Sequence, residues 1–142
     1  MDERNEEHFD GKVALKAVIE HDGKVLLVRD PREGEEVWEI PGGRMNVEEE
    51  PQAALVREVK EELGIDILVH EVIDMVQFWQ FSESRNAFLI TFHASLADPQ
   101  ADIVMAEDEI AEVKWATEAE VGELQFFVEY KRALEKFYGA KE

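Results

Sequence analysis

The sequence predicts an α/β protein in which a mixed β-sheet is covered by helices. Runs of aliphatic and β-branched residues alternate with two segments of helical character, in the order β-β-β-α-β-β-β-α. Hydrophobic residues make up 45% of the 142 residues, which is enough for a core despite 35% charged residues. No Pro-, Gly- or Ser-rich linker divides the chain, so we expect residues 1–142 to form one domain, with residues 1–10 as a flexible acidic N-terminus.

The first two strands are predicted to form a hairpin, because aliphatic runs at 13–19 and 24–28 flank a His-Asp-Gly turn at 21–23. Glycine tolerates the positive φ that a tight turn needs. A loop rich in Pro, Gly and Glu is expected at 30–36, followed by a short strand at 37–40 that a Pro-Gly-Gly sequence ends.

A helix is predicted at 51–63, because these residues are good helix formers between a proline and a glycine. Proline suits the first turn, where its missing N–H is not needed, and Gly64 suits the C-terminal stop. Two long strands around a polar turn are predicted at 65–81 and 88–96, and another strand at 110–116.

A final helix is predicted at 118–138. Thr117 and Glu120 have the spacing of a capping box, which would open this helix. An apolar stripe at helical spacing, for which we expect core packing rather than ligand binding, includes Leu124, Phe127, Val128, Lys131, Leu134 and Tyr138.

The composition limits the function. The formal net charge is −19, which repels phosphate groups, so binding of a nucleic acid polymer is disfavoured and a small phosphorylated substrate needs bound cations. There are no cysteines, so a metal ion would bind to oxygen or imidazole ligands. The absence of a signal stretch or a long apolar run predicts a cytoplasmic protein without membrane contact.

Acidic residues cluster on the predicted helix at 51–63. At ~100° per residue, Glu58, Glu61 and Glu62 share one side of this helix, apart from its apolar stripe. Their mutual repulsion has an explanation if they bind a hard cation such as Mg²⁺, which prefers oxygen ligands. Taken alone, the three residues fit a solvated acidic helix face equally well.

The surrounding pattern decides between these readings. From Gly43 to Ile65 it reads glycine, five residues, glutamate, seven residues, then Arg-Glu-aliphatic-any-Glu-Glu-any-Gly-aliphatic. This resembles the Nudix box at every specified position, and the resemblance extends to Trp-Glu-Ile-Pro-Gly-Gly at 38–43 and to the segment at 110–115. It implies an α/β/α sandwich and a hydrolase that cuts a diphosphate bond.

The resemblance also implies roles for individual residues. Glu58, Glu61 and Glu62 would bind Mg²⁺ or Mn²⁺ together with the backbone carbonyl of Gly43. Arg57 would pair with a glutamate of the box, for which Glu49 is the candidate, and hold the ligands in place. In family members a glutamate six residues before the tryptophan of the penultimate strand can act as general base. Here that position is Glu109, and the nearby acids Glu107, Asp108 and Glu112 remain alternatives.

The candidates for substrate binding have less support from the sequence than the residues of the box. Phe78, Trp79 and Phe81 precede the turn of the long hairpin and are suited to stacking on a base, although strand alternation predicts that at least one belongs to the core. Arg29 and Arg44 are candidates for contacts with phosphates.

We expect a nucleotide pyrophosphatase acting on a nucleoside triphosphate or a related nucleoside diphosphate derivative. ADP-ribose and dinucleoside polyphosphates are alternative substrates, and a non-catalytic nucleotide-binding domain is an alternative function. Exposed edge strands are compatible with a homodimer.

Overall fold

The computed structural model describes residues 7–32 and 36–141. Its strands and helices are β1 (Gly11–His21), β2 (Lys24–Arg29), β3 (Val37–Trp38), β4 (Gly42–Arg44), α1 (Pro51–Leu63), β5 (Ile67–Gln80), β6 (Arg85–Leu96), β7 (Glu112–Ala116), α2 (Glu118–Val121), β8 (Gln125–Phe126) and α3 (Val128–Gly139). Residues 1–6 of the expected N-terminal tail and residues 33–35 of the expected loop lie outside the described residues.

A mixed six-stranded sheet forms the centre of the fold. Its strand order is β5-β6-β1-β2-β7, with the short strand β4 also paired to β1. The pairing of β1 with β6 is parallel, whereas β2, β4 and β5 pair antiparallel with their neighbours. Strands β3 and β8 form a separate parallel pair. The predicted mixed sheet is therefore confirmed.

Helices cover both faces of this sheet. Helix α1 buries its apolar side against one face, where Leu55 and Leu63 belong to a cluster with Leu15 of β1. On the other face Leu134 and Phe137 of α3 are buried in a second cluster. The predicted arrangement of a sheet between helices is confirmed.

The two best predicted local features are present. The turn between β1 and β2 places Asp22 and Gly23 at φ 51° and 75°, the left-handed pair that a two-residue hairpin turn favours. Helix α1 has the predicted bounds, and Gly64 ends it with φ 68° and donates its N–H to the carbonyl of Lys60.

The predicted long C-terminal helix is wrong. The capping box of Thr117 and Glu120 is present, but the helix it opens ends at Val121. Residues 125–126 then pair with β3, which draws the chain out of helical geometry before α3 begins. As a result, Phe127 and Val128 of the expected buried stripe are 43% and 71% exposed.

Strand β4 was not predicted. It contains Gly42 and Gly43, which we expected only to end the strand at 37–40. Its Gly42 pairs with Lys16 of β1. No helix in residues 7–32 and 36–141 is long and apolar enough to cross a membrane.

Candidate active site

Helix α1 presents two of its carboxylates, those of Glu58 and Glu62, beside the core rather than towards open solvent. Leu55, Val59 and Leu63 are completely buried against the sheet. Glu58 and Glu62 are half-buried and line a cavity of about 940 Å³ next to this packing. The helix thus uses one side for the core and an adjoining side for the cavity.

Strand β4 brings backbone close to both carboxylates. The N–H of Gly42 donates to Oε1 of Glu62 over 3.2 Å. The Glu58 carboxylate lies so close to Gly43 that a Cβ at this position would collide with Oε2 of Glu58. Glycine at position 43 therefore leaves room for the Glu58 carboxylate in its observed position.

Arg57 connects Glu49, which precedes the helix, with Glu58 and Glu61 of the helix. Its Nε and Nη2 donate to the two carboxylate oxygens of Glu49 over 2.7 and 2.8 Å, a bidentate pair. Its Nη1 donates to Glu58 and Glu61 over 3.2 Å. One guanidinium thereby fixes the conformations of three carboxylates.

The cavity raises the proton affinity of its carboxylates. Burial raises the pKa of Glu62 to about 7, although Lys16 and the N–H of Gly42 act in the opposite direction. Burial also raises the pKa of Glu58, despite the nearby charge of Arg57. Glu109 adds like charge to both groups. The site holds more negative charge than its own cations offset.

The loop before β7 brings Glu109 to the helix. The N–H of Val104 donates to the carbonyl of Leu63, and the N–H of Ala106 donates to the carbonyl of Glu62, both over 2.9 Å. These bonds tie the loop to the last turn of α1. Glu109 consequently lines the same cavity as Glu58 and Glu62, as does Asp108.

Strand β1 forms a wall of the cavity, because its alternate residues Lys12, Ala14 and Lys16 all line it. Ala14 pairs with Arg44, and Lys16 pairs with Gly42. Along this wall the cation pair of Lys12 and Arg44 therefore lies at one end and Lys16 at the other.

The Lys16 end combines a donor, an acceptor and an aromatic ring. Lys16 is 8% exposed, and its Nζ lies 3.5 Å from Oε1 of Glu39. The same Nζ lies 5.3 Å from the centre of the Tyr130 ring, within cation–π range. All three residues line the cavity.

The hairpin of β5 and β6 places aromatic side chains at the end of the cavity where Lys12 and Arg44 lie. Phe78, Trp79 and Phe81 all line the cavity, and Trp79 and Phe81 are 47% and 84% exposed. None of the three belongs to either buried cluster. Phe78 is half-buried and Trp79 is exposed, as strand alternation predicts, but Phe78 lines the cavity, so the expectation that at least one of the three would be a core residue is wrong.

A sequence profile of the NUDIX domain matches residues 11–137, which is most of the chain. The chain belongs to the Nudix family.

Individual proteins are also similar to this chain over much of its length or of their own. A MutT-like protein of Streptomyces ambofaciens is 30% identical over 123 residues, which cover 87% of this chain and 74% of the relative. The CTP pyrophosphohydrolase of Escherichia coli K12 is 44% identical over 61 residues, which cover 42% of this chain and 45% of that protein. The match thus spans less than half of the length of this second relative. The solution structure of the E. coli ORF135 protein superposes with a TM-score of 0.79, with 28% identity, and the match covers 94% of this chain and 92% of that one.

The Nudix box residues fit a hard divalent cation by their chemistry. Glu58 and Glu62 are neighbouring, partly desolvated carboxylates, and oxygen is the donor that Mg²⁺ prefers. No three Asp, Glu, His or Cys side chains within the described ranges converge closely enough to hold a metal ion alone. Mg²⁺ usually takes one or two carboxylates and completes its shell with waters and substrate phosphates, so two acids suffice.

Three of the predicted site residues lie outside the cavity lining, namely Arg57, Glu61 and Arg29. Glu61 is 54% exposed and accepts from Nη1 of Arg57 over 3.2 Å. Arg29, the last residue of β2, donates to Glu112 over 3.2 Å, whereas its chain neighbours Val28 and Asp30 line the cavity. The predicted phosphate contact of Arg29 therefore has no support in this geometry.

Several cavity residues escaped the sequence interpretation: Lys12, Lys16, Glu39, Glu83 and Tyr130. A signal existed for Lys16, because it interrupts an aliphatic run in a strand that is buried on both faces. Glu83 carried no such signal, since it is one acid among many in a polar turn.

Proposed function

We propose that this Nudix protein hydrolyses a diphosphate bond in a nucleoside triphosphate or a related nucleoside diphosphate derivative. The observation that carries the proposal is the pair of carboxylates, Glu58 and Glu62, in one cavity that also holds Lys16 towards one end of its β1 wall and Lys12 and Arg44 towards the other. Such a cavity accepts an elongated anion whose charge is neutralised at its centre.

Mg²⁺ or Mn²⁺ would be held by the carboxylates of Glu58 and Glu62 and by the backbone carbonyl of Gly43. Glu61 stays a predicted third ligand, and joining the others requires its carboxylate to leave Arg57. When bound, the metal ion supplies charge neutralisation of the diphosphate and a more acidic water.

The chain's own residues orient the reaction. Arg57 keeps Glu58 in place through contacts that also engage Glu49. Glu109 is exposed within the cavity and lies close enough to Glu58 and Glu62 to affect their pKa values. We assign it the role of general base, which accepts the proton of the attacking water.

The Lys16 end is suited to a nucleobase. Lys16 can donate and Glu39 can accept, so together they match a base edge that carries both an acceptor and an amino group. The Tyr130 ring supplies an aromatic surface beside them. Because the E. coli relative is named a CTP pyrophosphohydrolase, CTP is the first substrate to assay, within a panel that includes ATP, GTP, UTP and ADP-ribose.

Glu62→Gln tests the assignment. The substitution keeps the size of the side chain and removes its charge, so turnover should fall by a factor of about 100 or more while the protein stays folded. Steady-state kinetics with Mg²⁺ and circular dichroism measure the two quantities.

The matched control is Glu50→Gln, at the exposed start of the same helix. This variant should keep the wild-type rate, and EDTA should abolish the activity of both it and the wild type. Wild-type turnover by Glu62→Gln, or a full rate in EDTA, contradicts the proposed function.

A further inference from the structure

Two cations of the cavity converge on a single carboxylate. Nζ of Lys12 lies 2.8 Å from Oε2 of Glu83, and Nη2 of Arg44 lies 2.8 Å from Oε1 of the same residue. All three side chains line the cavity. Each oxygen of one acid is thus occupied by a different positive group.

The three residues come from separate parts of the chain. Lys12 lies on β1 and Arg44 on β4, whose pairing holds the two cations on adjacent strands of a rigid sheet. Glu83 belongs to the turn between β5 and β6, where Ser84 has φ 51°. The cations are therefore fixed to the sheet, and the acid is carried by an exposed turn that can move more easily.

The contact joins an ionised carboxylate, that of Glu83, to the positive charges of Lys12 and Arg44. Lys12 holds the pKa of Glu83 below its ordinary value through their hydrogen bond, and the charges of Lys12 and Arg44 act in the same direction. The Lys12 side chain is only 11% exposed, so its ammonium is largely removed from water when Glu83 covers it. An ammonium so placed needs an anionic partner.

A phosphate group offers the same chemistry as this carboxylate, because its oxygens accept charge-assisted hydrogen bonds from Lys and Arg. The cation pair is also next to the proposed reaction centre. Arg44 follows Gly43, against which the Glu58 carboxylate packs, and Arg57 donates to the carbonyl of Arg44 over 3.4 Å.

We propose that Lys12 and Arg44 form a phosphate subsite, and that Glu83 occupies this subsite as an internal competitor until a phosphate of the substrate displaces it. The inference rests on the proposed function for the identity of the substrate, but the anion subsite itself does not require catalysis. Displacement of Glu83 frees the turn that also carries Phe81.

The first experiment compares Glu83→Gln with Glu123→Gln. Both changes remove one negative charge from a protein with a net charge of −19, but Glu123 is exposed and does not line the cavity. If Glu83 keeps the subsite closed about 90% of the time, its removal lowers KM for the nucleotide about tenfold with little change in kcat. Glu123→Gln measures the general effect of the lost charge, which should be less than twofold.

The second experiment measures binding of inorganic pyrophosphate in EDTA by isothermal titration calorimetry. Glu83→Gln should bind pyrophosphate about tenfold more tightly than Glu123→Gln does, and the double variant Lys12→Met/Glu83→Gln should lose this gain. Circular dichroism checks that each variant is folded.

The outcomes separate the two proposals. Tighter pyrophosphate binding by Glu83→Gln without nucleotide turnover in the wild type would leave the subsite standing and reject the proposed function. Equal affinities of Glu83→Gln and Glu123→Gln, or a gain that persists without Lys12, would overturn the subsite, whatever the turnover.

Discussion

At the scale of single residues, the site depends on the close approach of a glycine and a glutamate. The backbone of Gly43 occupies the space beside the Glu58 carboxylate, so a methyl group at this position must displace the end of that side chain. A flexible glutamate can move at little cost to the fold, but under the proposed function Glu58 is a metal ligand, and a ligand that moves by an ångström or more loses its function.

Gly43→Ala should therefore lower turnover about tenfold to 100-fold, with a change in the free energy of unfolding of less than about 1 kcal/mol. Urea unfolding and steady-state kinetics measure these two effects. Gly139→Ala is the control, because a Cβ at position 139 meets nothing within 4 Å. A fully active Gly43→Ala variant would show that Glu58 does not need its observed position.

The pair of Glu49 and Arg57 should make stability depend on acid pH. The Arg57 hydrogen bonds, followed by the N–H of Asn46, lower the pKa of Glu49 from 4.5 to about 2. A carboxyl group with a lowered pKa in the folded state stabilises the protein fully above its unfolded pKa. That stabilisation is lost as the pH falls from about 4.5 to about 2.

Glu49→Gln should accordingly be less stable than the wild type at pH 6, and the difference should shrink towards zero by about pH 2. Urea unfolding at several pH values measures it, with Glu50→Gln as the control that lacks this contact. A difference that stays constant over the range would mean that the contact does not stabilise through charge.

At the scale of elements, helix α3 is attached to the sheet by a buried acid as well as by its apolar side. Asp74 of β5 is 5% exposed, and its two oxygens lie 3.0 Å from Nε of Arg132 and 2.6 Å from Nζ of Lys136. The cations themselves are about half exposed, so the acid is the member of the cluster that depends on its partners.

Arg132→Met/Lys136→Met should destabilise the protein by about 3–5 kcal/mol, because it leaves a buried carboxylate without a partner. Adding Asp74→Asn to this double variant should recover part of the loss, since the unpaired charge is then gone. The free energy of unfolding in urea measures both steps. A double variant as stable as the wild type would show that α3 is held by its apolar contacts alone.

Elements that local signals define were predictable from the sequence, and those that depend on distant partners were not. Helix α1 has a proline at its start and a glycine at its end, so its bounds followed from local chemistry. The break between α2 and α3 depends on the pairing of Phe126 with Trp38, which no local pattern indicates. The same distinction applies to the site, where the box predicted Glu58 and Glu62, but Lys12 lies beside them only through the pairing of distant strands, β1 with β6 and β4.

At the scale of the whole molecule, the net charge of −19 opposes compaction. Raising NaCl from about 20 mM to about 200 mM shortens the Debye length from roughly 20 Å to roughly 7 Å and screens this repulsion. The midpoint of urea unfolding should therefore rise with NaCl at pH 7, and the rise should be smaller near the isoelectric point. A midpoint that falls with salt at pH 7 would mean that the specific ion pairs outweigh the general repulsion.

The parallel pairing of β1 with β6 also has a consequence for how the chain reaches its native state. Gly11 pairs with Asn86, and Glu20 pairs with Ser95, so β1 can complete its pairing only with a strand that lies much later in the chain. Closing so large a loop costs entropy before any contact compensates it, which slows the search for the native topology relative to a helical bundle. During synthesis, β1 lacks this neighbour until β6 has left the ribosome. In that interval the negative charge of the nascent chain opposes its aggregation with other chains.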